Sequence, residues 1–198
     1  MPHYFDAKPD AMSRPNQVNL VLPDLNRVLV LQTDRAVFSG ARVDHGTSVL
    51  LHHGPAAPLG ATLLDLGCGY GPIALALAAR DATATVWAVD VNERALDLCR
   101  ENASANGLSN VRVATPDGVP ADLLFDALRS NPPIRVGRPA LHALLVRWLA
   151  RLTPDGTAAL VVQKHLGADS LAAWLIEEGW VVERLRSKQG FRVLGVRR

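Results

Sequence analysis

The chain has 198 residues, 48% of them apolar and 20% charged. That length holds one well-buried domain and is short for two, and the composition excludes a disordered or fibrous chain. Lys and Arg number 21 against 19 Asp and Glu, a net charge of +2, so overall charge argues neither for nor against a nucleic-acid partner.

The basic residues are unevenly placed. Arg184, Arg186, Lys188, Arg192, Arg197 and Arg198 follow Glu183 with no further acid. Such a stretch either meets phosphate or is the solvated side of a last hairpin, and spacing leaves both open. The two cysteines, Cys68 and Cys99, make no disulfide framework, and no His or Cys cluster has zinc spacing, so no metal is expected. The first residues, Met1-Pro2-His3-Tyr4-Phe5-Asp6, lack the basic and apolar parts of a signal peptide. No apolar run reaches membrane-spanning length. A cytoplasmic protein without a membrane contact is expected.

Residues 1–60 hold several prolines, a strand-like run from Arg27 to Gln32, and Thr33-Asp34-Arg35-Ala36-Val37-Phe38-Ser39. They are read as an N-terminal cap packed on the sheet of one structural domain, with the ligand-binding domain proper over 61–198. From Thr62 onward, strand and helix patterns alternate. Leu63 to Leu66 is a short apolar strand, and Gly71 to Arg80 a helix rich in Ala and Leu. Val86 to Asp90 is a second strand, and Asn92 to Asn106 a helix with Ala95, Leu96, Cys99 and Ala103 on one face. Val111 to Val113 and Leu124 to Ser130 are the third and fourth strands.

The next helix follows Pro139 and carries Leu141, Leu144, Leu145, Trp148, Leu149 and Leu152 at three-and-four spacing. Pro154-Asp155-Gly156 is expected to end it, with a fifth strand from Thr157 to Gln163. A helix with Leu171, Trp174 and Leu175 comes next, capped by Asp169 or Ser170. Trp148 and Trp174 are read as core residues. Trp180 to Arg186 and Phe191 to Val196 close the chain as a hairpin. Helices between successive strands force parallel pairing, so the fold class is α/β, with antiparallel strands at one side.

Asp65-Leu66-Gly67-Cys68-Gly69-Tyr70-Gly71 joins the first strand to its helix, where such sheets bind ligands. Glycines there allow a tight turn and a close backbone approach. Asp90, followed by Val91, ends the next strand roughly twenty residues on, where an acid accepts both ribose hydroxyls of an adenosine. A dinucleotide site sets its third glycine three residues after the second, and here that place is Pro72. The pattern therefore favours S-adenosylmethionine over a nicotinamide cofactor. Asp117-Gly118, after the third strand, is read as the loop flanking the adenine, with Asp117 accepting from its amine.

Asn131-Pro132-Pro133-Ile134 ends the fourth strand and faces that loop. Two prolines fix the backbone, so the Asn131 side-chain oxygen and the Pro132 carbonyl are two acceptors for one amino group. They orient a planar nitrogen and support the positive charge that grows as it attacks a methyl group, with no strong base required.

With these motifs the chain resembles the small-domain class I methyltransferases that include the ribosomal RNA guanine-N2 enzymes. The likeness takes in Thr33-Asp34 with Val37-Phe38-Ser39, Val43-Asp44 with Gly46-Thr47 and Leu50-Leu51, the glycine loop, Asp90, Asn131 to Ile134, Gln163 to Ala168, and Lys188, Gly190 and Phe191-Arg192-Val193-Leu194. It implies a Rossmann-like, seven-stranded, mostly parallel sheet with a C-terminal antiparallel hairpin and helices on both faces. It implies an S-adenosylmethionine cofactor held by Asp65, Gly67, Cys68, Gly69, Gly71, Asp90, Val91, Asp117, Gly118 and Asn131. Methylation of an exocyclic base amine in RNA is the implied reaction, with guanine N2 of 16S rRNA first. Phe38, Arg135, Lys188 and Arg192 are the candidate substrate contacts.

Ile134 stands where an aromatic residue commonly follows Asn-Pro-Pro, and Ala36 where the family usually has Gly. Arg129, in a strand that should be apolar, reaches either the site or a partner acid. Protein glutamine methylation, small-molecule N-methylation and a non-catalytic cofactor- or rRNA-binding module remain as alternatives, and spacing does not separate monomer from homodimer.

Overall fold

The computed structural model describes residues 15–34 and 42–198; Phe38 and its neighbours Ala36, Val37 and Ser39 lie outside them. Seven strands form one sheet: β3 (Thr62–Leu66), β4 (Thr85–Val89), β5 (Val111–Ala114), β6 (Phe125–Ser130), β7 (Leu152–Gln163), β8 (Val181–Lys188) and β9 (Phe191–Arg197). Their order is β5-β4-β3-β6-β7-β9-β8. The first five pair in parallel, and β9 runs antiparallel to both β7 and β8. This is the Rossmann-like, mostly parallel topology with a C-terminal antiparallel hairpin that the resemblance implied. The strand order reverses between β3 and β6, so the loops that follow them open onto one crevice at their carboxyl ends.

The helices are α1 (His45–His53), α2 (Pro72–Arg80), α3 (Glu93–Ala105), α4 (Arg138–Leu149) and α5 (Ala168–Glu177). Two apolar cores lie on the two sheet faces, as the period of two along each strand requires. Leu63 joins α1, α2 and α3 on one face, while Leu64 and Leu66 join α4 and α5 on the other. Trp148 is fully enclosed in the second core. Trp174 is half-buried at its margin, with the His142 ring stacked on it at 3.6 Å.

Besides the start of α5, where Gly167 and not Asp169 or Ser170 is the N-cap, three features differ from the sequence expectation. First, β7 begins at Leu152, ahead of Pro154-Asp155-Gly156. Leu152 pairs with Phe125 and Thr157 with Ala127, so the Pro-Asp-Gly stretch bulges out of a continuing strand. Second, α1 was not read as a helix. It holds Gly46, Thr47 and three histidines, which are weak helix formers, and only Val49-Leu50-Leu51 carries an apolar signal. Asp44 starts it by accepting from Thr47 N at 3.0 Å.

Third, the early strand has a partner: β1 (Asn16–Leu22) pairs antiparallel with β2 (Arg27–Thr33) in a separate two-stranded sheet. Val18, Leu20, Leu22, Leu29 and Leu31 alternate inward to the first core. The hairpin sits on α3 through two asparagines one turn apart. Asn102 accepts from Gln32 N at 2.6 Å and donates to Gln32 O at 2.9 Å, and Asn106 does the same for Val30 at 3.2 and 2.9 Å. The carboxamides thus act as a short substitute strand. Asn102 Nδ2 also donates to Tyr70 O at 2.9 Å, which ties the hairpin to the glycine loop.

Among the described residues, Arg129 reaches neither the site nor an acid. It is buried, and its guanidinium donates to the carbonyls of Leu128, Pro55 and Ala56. Burial lowers its pKa to about 10.

Candidate active site

The glycine loop is built by its backbone. Gly67 N and Cys68 N both donate to Val89 O, at 2.8 and 3.0 Å, and Gly71 N donates to Cys68 O at 3.0 Å. Gly67, Gly69 and Gly71 have φ of +75°, +55° and +99°, the left-handed region that suits glycine. Gly71 precedes Pro72 at the start of α2. Asp65 is fully buried beneath the loop, and its Oδ2 accepts from Ala74 N at 2.8 Å. Its neutral form is favoured there: burial raises its pKa to about 8, against the Ala74 hydrogen bond and with help from the charge of Asp90.

Asp90 stands at the end of β4. Its Oδ2 accepts from Gly69 N at 2.9 Å and its Oδ1 from Asn92 N at 3.0 Å. Burial raises its pKa, and those two bonds oppose the rise. Cys68 is buried, and burial and Cys99 push its thiol pKa well up, so it is no nucleophile.

A cavity of about 360 Å³ opens between this loop and the end of β6. Gly67, Cys68, Gly69, Asp90, Val91, Asn131, Pro132, Pro133, Ile134 and Arg135 all line it, as the sequence led one to expect. Other expected residues lie elsewhere. Asp65 lies beneath the loop and Gly71 ends it against Leu75 and Cys99, and both set its shape. Asp117 turns outward and pairs with Arg147 at 3.0 Å, so Pro116, and not Asp117 or Gly118, forms that wall. Arg192 alternates away from Phe191 on β9, is buried, and pairs with Asp169 on α5, so it cannot meet substrate phosphate. Lys188 is exposed outside the cavity, with Nζ 3.1 Å from His53 Nε2.

The cavity also takes residues to which the sequence reading assigned no role: Asp44 and Thr47 from the start of α1, Tyr70, Gln163, Leu166 and Phe191. The Asp-His-Gly-Thr pattern, with an acid three residues before Thr47, is a helix-start signal that would have found the first two. Asn131 Nδ2 donates to Asp44 Oδ2 at 2.7 Å and to Thr47 Oγ1 at 3.1 Å. Among the described residues nothing donates to Asn131 Oδ1. The Pro132 carbonyl, expected from the two prolines to be held in place, accepts from Ile134 N at 2.8 Å across Pro133 in an inverse γ-turn. That bond fixes its direction and leaves one lone pair.

These features suit an adenosine-bearing cation. The volume and largely apolar lining fit a compact ligand. The Tyr70 hydroxyl is buried with no partner among the described residues, and burial and Asp44 raise its pKa. A Cβ at Gly69 would meet nothing within 4 Å, so the backbone there lies open to a ligand. Two carboxylates, Asp44 and Asp90, face the same cavity and favour positive charge.

Residues 28–195 match the family model described as "Methyltransferase small domain". The chain belongs to this family. S-adenosylmethionine is the methyl donor of such enzymes. The chain is 34% identical over 195 residues to the uncharacterized protein YbxB of Bacillus subtilis, covering 97% of this chain and 96% of that protein. It is 31% identical over 208 residues to ribosomal RNA small subunit methyltransferase C of Pseudomonas aeruginosa, covering 97% of this chain and 57% of that one. A solved T. thermophilus 16S rRNA N2 G methyltransferase, in complex with AdoMet and guanosine, superposes with a TM-score of 0.79 at 25% identity. That match covers 96% of this chain and 52% of the other. The chain thus spans about half the length of the ribosomal RNA methyltransferases it matches.

Proposed function

We propose that this protein transfers a methyl group to the exocyclic amine of a base in RNA, with guanine N2 of 16S rRNA as the first candidate. The observation that carries the chemistry is the fixed Asn131 carboxamide beside the turned Pro132 carbonyl. The choice of RNA is supported by similarity to the rRNA small subunit methyltransferases.

When bound, S-adenosylmethionine supplies an electrophilic methyl group on a sulfonium. Asp90 would hold the ribose hydroxyls through the lone pairs left by Gly69 N and Asn92 N. Gly67 to Gly69 let the backbone approach the ligand, and Val91 and Pro116 wall the base. Asn131 Oδ1 and Pro132 O accept from the target amine and align its lone pair. Their partial negative charges stabilise the cation that develops on nitrogen. No side chain need remove a proton before transfer, because an aryl amine is unprotonated at neutral pH; as nitrogen bonds the methyl carbon the carbon–sulfur bond breaks, and the surplus proton on nitrogen then passes to solvent.

Ile134 offers only an apolar face to the target ring. Phe191 lines the same cavity and supplies the aromatic wall that Ile134 lacks. Arg135, exposed at the rim, is placed for a neighbouring phosphate. The test is transfer of labelled methyl groups to 30S subunits from a strain lacking the gene. Incorporation into 16S rRNA supports the proposal; incorporation only into ribosomal protein would redirect it to protein methylation.

A further inference from the structure

Asn131 can present either end of its carboxamide to a ligand, because the two ends have the same shape. Only one orientation serves an amine, which needs an acceptor. The surroundings settle the choice. Nδ2 donates to Asp44 Oδ2 at 2.7 Å and to Thr47 Oγ1 at 3.1 Å. A carboxylate only accepts. Turning the amide over would set Oδ1 against Asp44 Oδ2 and replace a charge-assisted bond with repulsion between two acceptors.

Asp44 is itself held in place. Its Oδ2 accepts from Thr47 N at 3.0 Å, where it caps α1. A Cβ at Gly46 would lie 2.9 Å from Asp44 Oδ2 and 2.9 Å from the Phe191 ring, so glycine lets these groups close on one another. The Asp44 to Thr47 turn therefore does more than begin a helix. It sets a carboxylate and a hydroxyl on the inner side of the amide, across 87 positions of sequence.

We propose that Asp44 is a positioning residue for methyl transfer: its carboxylate, aided by the Thr47 hydroxyl, locks Asn131 with Oδ1 turned to the amine. This rests on the reading of Asn131 as the acceptor of that amine, and Asp44 acts through Asn131. The lock has a charge signature. A carboxylate introduced by Asn131→Asp would meet the Asp44 carboxylate at hydrogen-bond distance, and two carboxylates sharing one site do not both ionise readily.

The test uses the full chain in four forms: Asn131→Ala, Asp44→Ser, Asn131→Asp, and the exchange Asp44→Asn with Asn131→Asp. Each is assayed for S-adenosylmethionine binding by calorimetry and for methyl transfer to 30S subunits from a strain lacking the gene. Serine keeps the helix cap but is too short to reach Asn131. Asp44→Ser is expected to lose roughly 100-fold in kcat, with KM for the subunits little changed. In Asn131→Asp, activity is expected to fall as pH rises and the shared proton is lost. In the exchange, the carboxamide now at position 44 turns its oxygen to Thr47 N, donates through its nitrogen to one oxygen of the carboxylate now at the end of β6, and leaves the other oxygen for the amine. Recovery of about tenfold or more over Asn131→Asp is expected, with the pH-dependent fall removed.

A measurement free of turnover accompanies these. In the side-chain amide NMR spectrum of the unliganded protein, the Asn131 protons, assigned by their loss in Asn131→Asp, should exchange slowly and lose that protection in Asp44→Ser. Wild-type kcat in Asp44→Ser overturns the proposal. So does an exchange variant that binds S-adenosylmethionine but recovers nothing, or an Asn131 amide equally unprotected in both proteins. If Asn131→Ala transfers methyl at the wild-type rate, the acceptor reading fails and the Asp44 proposal falls with it. If Asn131→Ala is inactive while Asp44→Ser is fully active, only the positioning proposal fails. Should the exchange variant not fold, Asp44→Ser and the NMR comparison still decide.

Discussion

Alanine at two glycines of one loop should damage two different properties. At Gly71, with φ of +99°, a Cβ would collide with Leu75 Cδ1 and lie 2.7 Å from Cys99 Sγ. Both neighbours are fully buried and cannot withdraw. The backbone strain costs about 1–2 kcal/mol and the overpacking roughly 1–3 kcal/mol. For a chain of this size that is a fall in melting temperature on the order of 10 °C. At Gly69, with φ of +55°, nothing stands within 4 Å, and only the backbone cost of about 1–2 kcal/mol applies. That residue lines the cavity, and Gly71 does not. Gly69→Ala should therefore stay folded and bind S-adenosylmethionine at least about tenfold more weakly, a loss near 1.4 kcal/mol. Thermal melts and calorimetry on both variants separate the two effects. Equal melting temperatures, or weaker binding by a well-folded Gly71→Ala than by Gly69→Ala, would refute the reasoning.

Asp90→Ala removes an acceptor from the cavity and orphans two backbone donors, so calorimetry should show roughly 10- to 100-fold weaker S-adenosylmethionine binding. Asn102→Ala leaves Gln32 N and O and Tyr70 O without their buried partner. Urea unfolding should show a loss of about 3 kcal/mol, with hydrogen exchange rising first in β1 and β2. Asp65 makes the free protein pH-sensitive. Its folded pKa, about 8, lies above the unfolded value of 3.8, so the folded state holds the extra proton between them and stability declines as pH rises through that window. Urea midpoints at pH 5 and pH 9 should differ, and Asp65→Asn should narrow the gap.

The sheet and its order of elements were legible because β3, β4 and β6 are short apolar strands, each followed by a periodic helix. The glycine loop, Asp90 and Asn131 were legible because their chemistry depends on adjacency along the chain. Much of the remainder depends on tertiary contact. Nothing in the local sequence of Asp44 says that a residue 87 positions away will face it. Asp117 has the type and place of an adenine partner, yet Arg147 on α4 draws it outward. Arg192 falls in a basic stretch, but strand alternation turns it inward to Asp169. Arg129 breaks the apolar pattern of β6 because carbonyls of Leu128, Pro55 and Ala56, distant in sequence apart from the first, take its donors.

The most direct test of the proposed reaction is nucleoside mass spectrometry of 16S rRNA from a strain lacking the gene, before and after incubation with the purified protein and S-adenosylmethionine. A gain of N2-methylguanosine with the wild-type chain, and none with Asn131→Ala, is the expected result. A protein that binds S-adenosylmethionine yet adds no methyl group to any nucleoside of that RNA would contradict the assignment of an RNA base amine as its substrate.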